Sequence, residues 1–311
     1  MGFTPGLRRT IWRRALVRAP RAVWYHTRKS RRVPQLVQPV SFSDKMLWRK
    51  VFDRDPLHVA MTDKVAARDV ARERLPDVQI PELLWIGEHI DELPLEALDL
   101  PYIVKMTDGS GWYEVVTDVR PETVTRVRDR FRELHRKPPY GWRRGEWAYG
   151  EFPRRVFAER LLLDAEGRPP DDHKLYFCHG EMVHMHVTHD RWGRMALTHF
   201  DASRNFLPGV ESRHRKDHMP DNLDMFEQVV AAGKALAGDM DFVRVDLYLH
   251  ERSVWFGEFT IYPTGGFLRW SPDMLRSLSS HWDIRSSWYL RSGDTFASAY
   301  LSALDEARYV P

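Results

Sequence analysis

The chain has 311 residues, 43% of them hydrophobic and 12% aromatic, which supports a sizeable core and excludes an intrinsically disordered chain. No run of about 18 apolar residues is present, so no transmembrane helix is expected, and a single cysteine, Cys178, excludes an intrachain disulfide framework and suits a reducing cytoplasm. The formal charge of +3 hides an asymmetry: residues 1–43 carry ten basic side chains and no acidic one, which leaves the rest of the chain near −7.

Within this basic extension, Trp12, Ala15, Leu16 and Ala19 recur at helical spacing and Pro20 should stop the helix. Three readings are open for residues 1–32: peripheral contact with an anionic membrane, packing on the body with a solvated basic face, or, least favoured, a nucleic-acid arm. Paired arginines without an apolar stretch or cleavage site do not make an export signal. Ser43-Asp44 is expected to cap a helix through Trp48 and Val51 to about Asp55-Pro56, and Thr62-Asp63 another over Lys64–Leu75, bounded by Pro76. Gln79–Ile86 reads as a strand. Tyr102–Met106 and Trp112–Thr117 read as strands around the turn Thr107–Gly111, and Pro121 opens an amphipathic helix to about Lys137 with Val124, Val127 and Phe131 on one face.

Residues 138–153 hold Tyr140, Trp142, Trp147, Tyr149 and Phe152 without periodicity, and read as a lid or binding loop. Strands are expected over Val156–Leu163, turned by Asp164–Gly167, and over Lys174–Thr188, where Cys178 is a small core residue; Met195–Phe200 is a further strand. A helix is expected over Asn222–Gly238, and the C-terminus closes with helices that include Thr295–Ala307.

Between them, Phe242–Leu249 and Val254–Tyr262 are rich in β-branched and aromatic residues and read as a hairpin. Asp246 and Glu258 each lie inside one of these strands. Carboxylates there are costly unless paired or bound to metal, and two facing each other repel unless a cation lies between. An oxygen cage for Mg²⁺ fits, with Arg244 beside it to meet a phosphate; the alternative is that Arg244 neutralises one acid across the hairpin. The turn Gly109-Ser110-Gly111 after Lys105 allows backbone N–H groups to approach a phosphate, or is an ordinary turn. With 38 arginines against nine lysines, Lys64, Lys105 and Lys174 read either as positions that call for a slim ammonium or as chance placements. His184, His186 and His189 invite a zinc reading, and strand alternation puts His184 and His186 on one face; without a third ligand at a set spacing, surface or substrate-pocket histidines are favoured.

The order of these parts resembles the ATP-grasp superfamily, in particular its TupA-like branch, named for teichuronopeptide biosynthesis. The motifs are Asp63-Lys64-x-x-x-Arg68, Val104-Lys105 with the glycine turn, Val156-Phe-Ala-Glu159, Arg244-x-Asp246, and Gly257-Glu258-x-Thr260-x-x-Pro263. The resemblance runs from about Ser41 to Trp270. It implies an α+β ATP-grasp fold with residues 44–100 as an N-terminal α/β subdomain, 101–158 as a lid and 159–311 as a catalytic subdomain. It implies Lys64 on an ATP phosphate, Lys105 between phosphate and adenine, and Gly109, Ser110 and Gly111 over the β- and γ-phosphates. Glu159 would open the adenine hinge, with the backbone near Leu161 meeting the base. Asp246 and Glu258 would hold Mg²⁺, Arg244 would contact the transferred phosphate, and Lys174 matches a lysine of this branch. Thr260 departs from the usual asparagine and would be a weaker third ligand.

The implied activity is that of a cytoplasmic carboxylate–amine ligase using ATP and Mg²⁺, joining a carboxylate-bearing saccharide or amino acid to a surface-polymer precursor; on the membrane reading of residues 1–32 it would work at the inner face of the membrane. The alternatives are a glycosyltransferase in exopolysaccharide or capsule assembly, a label such sequences often carry, and a non-catalytic nucleotide-binding scaffold. Arg204, the His184–His189 stretch and the aromatics of the lid loop are candidates for substrate contact. Nucleic acid is not an expected partner.

Overall fold

The computed structural model describes residues 2–190, 192–193, 195–210 and 223–310. Thr4 caps α1 (Pro5–Arg18) and α2 (Pro20–Ser30) follows directly. Pro20 thus ends one helix by opening the next, where its missing N–H is no loss. Ile11 and Ala15 form the buried side of α1, whereas Leu16, expected on that side, is exposed. The extension packs on the body: Ala22 and Val23 are buried, Arg14 lies 4.0 Å over Phe296 and Arg21 lies 3.8 Å over Trp142. No described helix is long and apolar enough to cross a membrane.

Ser41, not Ser43-Asp44, caps α3 (Phe42–Phe52), accepting from the Asp44 N–H at 3.2 Å. The Asp44 carboxylate is occupied elsewhere, by Arg32 at 2.6 Å and the Gln35 N–H at 3.0 Å. At Asp55-Pro56, where α3 was expected to end, a separate short helix begins instead, α4 (Pro56–Thr62), capped by Asp55. Asp63 does not cap the next helix: α5 (Ala66–Arg74) starts two residues later than expected, with Val65 at its N-cap, and the Asp63 carboxylate takes the Val65 N–H at 2.9 Å in the turn before it. Lys64 is left in the turn.

Two antiparallel sheets follow. The first has the order β1-β4-β2-β3, from β1 (Leu83–Gly87), β2 (Tyr102–Met106), β3 (Tyr113–Val116) and β4 (Val156–Arg160). One face buries Tyr102, Val104, Met106 and Ala158 against Val127, Phe131 and Leu134 of α6 (Pro121–Arg136), forming a core of its own. By alternation Ile103, Lys105 and Glu159 take the other face. The strand expected over Val156–Leu163 stops at Arg160 and pairs with β1 and β2. The turn Asp164–Gly167 therefore carries the chain from one sheet to the other and closes no hairpin. Residues 138–153 form two 3₁₀ turns, Trp142–Arg144 and Trp147–Gly150.

The second sheet has the order β7-β6-β5-β8-β9, from β5 (Asp172–Cys178), β6 (Glu181–His189), β7 (Ala196–Asp201), β8 (Val243–His250) and β9 (Ser253–Thr260). Glu251 and Arg252 alone make the β8–β9 loop, with φ of 49° and 58°, the two positive values a type I′ hairpin turn needs. The back of this sheet carries α7 (Phe226–Ala237); Asn222, where that helix was expected to start, lies outside the described residues. Close packing is possible because Gly233 has no side chain: a Cβ there would come within 2.9 Å of the Phe177 ring. The C-terminal helices α8 (Pro272–His281) and α9 (Thr295–Glu306) join α3 in the main core, where Phe296 and Tyr300 pack on Phe52. A buried network ties α3 to the start of β8. Arg49 donates to the Phe242 carbonyl at 2.9 Å and pairs with Asp241, whose other oxygen accepts from Trp282 Nε1 at 2.9 Å.

Candidate functional site

Register in the second sheet sets up the site. Reading across the strands, one row is His199, His186, Lys174, Asp246 and Glu258; the next is Asp201, His184, Tyr176, Arg244 and Thr260. Side chains two apart on a strand share a face, so both rows project from the same side. The hairpin expectation is met, with Asp246 directly opposite Glu258 and Arg244 opposite Thr260.

Asp246 is buried, and its carboxylate is gripped from two directions. Arg244 gives it two hydrogen bonds of 2.6 Å, through Nε and Nη2, and Lys174 Nζ reaches it at 2.5 Å. Lys174 also meets Asp172 at 2.6 Å. Burial alone would raise the Asp246 pKa, but Arg244 and Lys174 hold it down to about 2. The arginine does neutralise an acid, most closely Asp246 along its own strand and more loosely Glu258 across the hairpin. Glu258 is different: its nearest cations, Arg244 at 3.7 Å and Lys64 at 3.8 Å, are too far for a good hydrogen bond.

The first sheet faces these rows. Lys105 Nζ pairs with Glu159 at 2.5 Å, and the other Glu159 oxygen takes Arg68 at 3.0 Å. The Leu161 N–H donates to the Pro101 carbonyl at 3.4 Å. Gly109 and Gly111 have φ of 93° and 74°, and a Cβ on Gly109 would come within 2.9 Å of the Trp112 ring. Lys64 joins the turn to the helices, its N–H bonded to the Thr107 carbonyl at 3.1 Å and its ammonium to the Gly109 carbonyl.

Between the two sheets lies a cleft of about 900 Å³, including its open mouth. Lys64, Lys105, Gly109, Ser110, Gly111, Glu159, Leu161, Lys174, Asp246 and Glu258 all line it. Ile103, Pro81, Leu162 and Tyr248 add an apolar wall suited to a planar base. Lys64, Gly109, Ser110, Lys174 and Glu258 also border a second, open cavity of about 1830 Å³ with the solvent at its mouth included, which Arg244 and Thr260 line as well. All the residues expected to meet the nucleotide and its metal thus fall around two contiguous spaces.

The structure adds and removes candidates. Tyr140 and Tyr149 of the lid loop line the second cavity, whereas Trp142 stacks on Arg21 and Trp147 packs by Arg54. Arg204 is exposed on Glu227 at 2.7 Å and borders neither space. Sequence reasoning missed Arg144, Arg269, Tyr25 and Lys29 of the second cavity; the last two come from α2. Arg68 stood in the motif and its pairing with Glu159 was not foreseen. The histidines are buried and not on the surface, and His189 turns to Asp171 at 2.6 Å, away from His184 and His186. The triplets Asp53-x-Asp55 and Asp239-x-Asp241 have the form of nucleotide-sugar metal motifs but border neither cavity; Asp53 and Asp241 are buried beside Arg49.

A family model described as TupA-like ATPgrasp matches residues 44–278. No curated protein matches the chain. Among solved structures, it is similar to D-alanine–D-alanine ligase from Bacillus anthracis, at 16% identity over 79% of this chain and 69% of that one, with a TM-score of 0.46. D-Alanine–D-alanine ligase from Helicobacter pylori gives 13% identity over 88% and 70%, with a TM-score of 0.42. L-Amino acid ligase from Bacillus licheniformis gives 15% identity over 66% of this chain and only 44% of that one, with a TM-score of 0.42.

Proposed function

The chain belongs to the TupA-like ATP-grasp family, and from that premise we propose that it is an ATP-dependent ligase that activates a carboxylate and joins it to an amine or other nucleophile. The observation that carries the reading is the single sheet face on which Lys174, Arg244, Asp246 and Glu258 meet, opposite Lys105 and the glycine turn.

In the reaction a carboxylate oxygen takes the γ-phosphoryl group of ATP and the bond to ADP breaks. The nucleophile then attacks the acyl carbon and phosphate leaves. The protein's task is positioning and charge, since phosphoryl transfer asks little covalent help. Lys64 and Lys105 would offset charge on the nucleotide's phosphates, and the turn N–H groups would close over them. Arg244 would meet the phosphoryl group in transfer. Mg²⁺ suits the donor set, two hard carboxylates paired across a ladder with Glu258 lacking a close partner. Asp246, Glu258 and the Thr260 hydroxyl would hold it, and it would supply neutralisation of the outer phosphates.

The second cavity supports an anionic substrate. Lys29, Lys64, Arg144, Lys174, Arg244 and Arg269 border it against the one carboxylate of Glu258. A saccharide uronate or an amino acid on the way to a surface polymer fits that charge, and the cytoplasm supplies the ATP. Peripheral contact with the membrane rests on Leu16, Val17 and Trp24, exposed among the arginines of α1 and α2. Incubation with ATP and candidate acids should release ADP, and Asp246→Asn with Glu258→Gln should abolish it. UDP release from a nucleotide sugar with no ADP would overturn the reading.

A further inference from the structure

The row that carries Lys174, Asp246 and Glu258 continues past β5 into His186 and His199, with His184 in the neighbouring row. His186 on β6 stands opposite His199 on β7, and His184 shares their face two residues earlier on β6. One ring nitrogen from each lies within 4.8 Å of the other two. All three are buried, at 1%, 8% and 4% exposure for His184, His186 and His199. They share a single hydrogen bond, His184 Nε2 to His199 Nδ1 at 3.0 Å. His184 Nδ1, His186 Nδ1 and His199 Nε2 have no hydrogen-bond partner among the described residues.

An unsatisfied buried polar atom costs on the order of 1–3 kcal/mol, so three in one cluster call for an explanation. A chain of hydrogen-bonded rings is not sufficient, because one bond leaves the other nitrogens unmet. A metal ion held by one nitrogen of each ring would meet part of that need. Burial disfavours a charged ring, and neutral imidazole is the ligating form. Among the described residues the cluster offers nitrogen donors and no carboxylate, which suits Zn²⁺ and not Mg²⁺ or Ca²⁺. Trp270 covers it, 4.3 Å from the His184 ring, and Tyr176 closes the side toward Arg244. His186 alone of the three borders the second cavity, so that side is the open one.

We propose that His184, His186 and His199 form a Zn²⁺ site, separate from the Asp246–Glu258 pair, with its open coordination position toward the second cavity. A three-histidine ion with an open position takes an anionic oxygen or a thiolate. In this chain it would anchor the far end of a substrate whose reacting end lies by Lys174 and Arg244. The ion also adds positive charge to a cavity already short of acids.

The test uses the full chain without a histidine tag, stripped with chelator and titrated with Zn²⁺ and then Co²⁺. The expected result is one equivalent of each, with the visible Co²⁺ absorption of a four-coordinate site. His199→Ala should weaken Zn²⁺ binding by more than the roughly 10–100-fold that outer-shell changes cost. His186→Gln keeps most of the side-chain volume and should do the same, with circular dichroism and ATP affinity checking that each variant is folded. A wild-type chain that binds Zn²⁺ but shows no ATP turnover would count against the ligase reading alone. Less than a tenth of an equivalent of Zn²⁺ on the wild-type chain, or stoichiometric binding unchanged in both variants, would overturn the site.

Discussion

Lys174 Nζ lies 2.5 Å from Asp246 Oδ2 across β5 and β8, on the carboxylate that Arg244 also holds with two hydrogen bonds. Asp246 is therefore both a candidate ligand and the counter-ion of two cations. Asp246→Asn should cut ATP turnover by about 10³-fold, yet release Arg244 for the nucleotide and leave Lys174 held by Asp172 alone. Calorimetry in EDTA should then find Mg²⁺-free ATP bound more tightly than by the wild type. A variant with wild-type turnover would remove Asp246 from the chemistry.

Glu159 sits between Lys105 and Arg68 and fixes the ammonium that faces the cleft. Glu159→Gln removes the charge and keeps the shape. We expect the KM for ATP to rise about tenfold with little change in kcat, the pattern for lost uniform binding. Steady-state kinetics across ATP concentration decide it; a fall in kcat at unchanged KM would assign Glu159 to the transition state.

Arg49 is fully buried and its partner Asp241 nearly so, and the pair joins α3 to the strand that carries Arg244. Breaking a buried pair leaves one charge without a partner and costs about 3–5 kcal/mol. Asp241→Ala should lose stability on that scale in urea denaturation, and Arg49→Met combined with it should recover part of the loss. A change within about 0.5 kcal/mol for the single variant would show that the pair is dispensable.

These sites were legible to different degrees, for physical reasons. Asp246 and Glu258 stood out because a carboxylate inside an apolar strand needs an explanation wherever the strand lies. The helix Pro121–Arg136 was readable from its period, and Lys174 from the scarcity of lysine. The partners of β4 were not, since pairing between distant segments leaves no local mark; β1 and β2 flank it, not β5. His199 lies thirteen residues beyond His186, and only the β6–β7 register makes it their neighbour. The basic charge of α2 was plain, but charge does not say where a helix docks, so Tyr25 and Lys29 in the cavity wall could not be anticipated.

His58 on α4 gives a pH dependence with a definite sign. Burial, with Arg49 nearby, lowers its pKa well below the ordinary 6.5, against a weaker opposing hydrogen bond at Asp53. Below 6.5 the unfolded chain takes up a proton that the folded chain refuses, so stability is full above that pH and falls as pH drops toward the folded value. Each such histidine contributes a slope of about 1.4 kcal/mol per pH unit. His58→Gln should lower the slope of unfolding free energy between pH 5 and 6.5 by about one proton. An unchanged slope would mean that His58 is charged in the fold.

The N-terminal helices need a test that does not unfold them. Deleting residues 1–32 takes Ile11, Ala15, Ala22 and Val23 from the core and Tyr25 and Lys29 from the cavity, so lost activity in that truncation would say nothing about membranes. Leu16, Val17 and Trp24 are 55%, 76% and 61% exposed, and Arg9, Arg13 and Arg28 are exposed near them, so surface substitutions leave the packing alone. If this face meets lipid, the wild type should co-sediment with phosphatidylserine-containing vesicles and not with pure phosphatidylcholine. Each basic side chain adds about 1 kcal/mol at an anionic surface, and buried apolar area adds to that. Combining Arg13→Glu, Leu16→Asp and Trp24→Ala should therefore weaken binding more than tenfold with unfolding temperature and ADP release unchanged. A wild-type chain that stays in the supernatant with both vesicles would leave the arginines as a solvated face over Phe296 and Trp142.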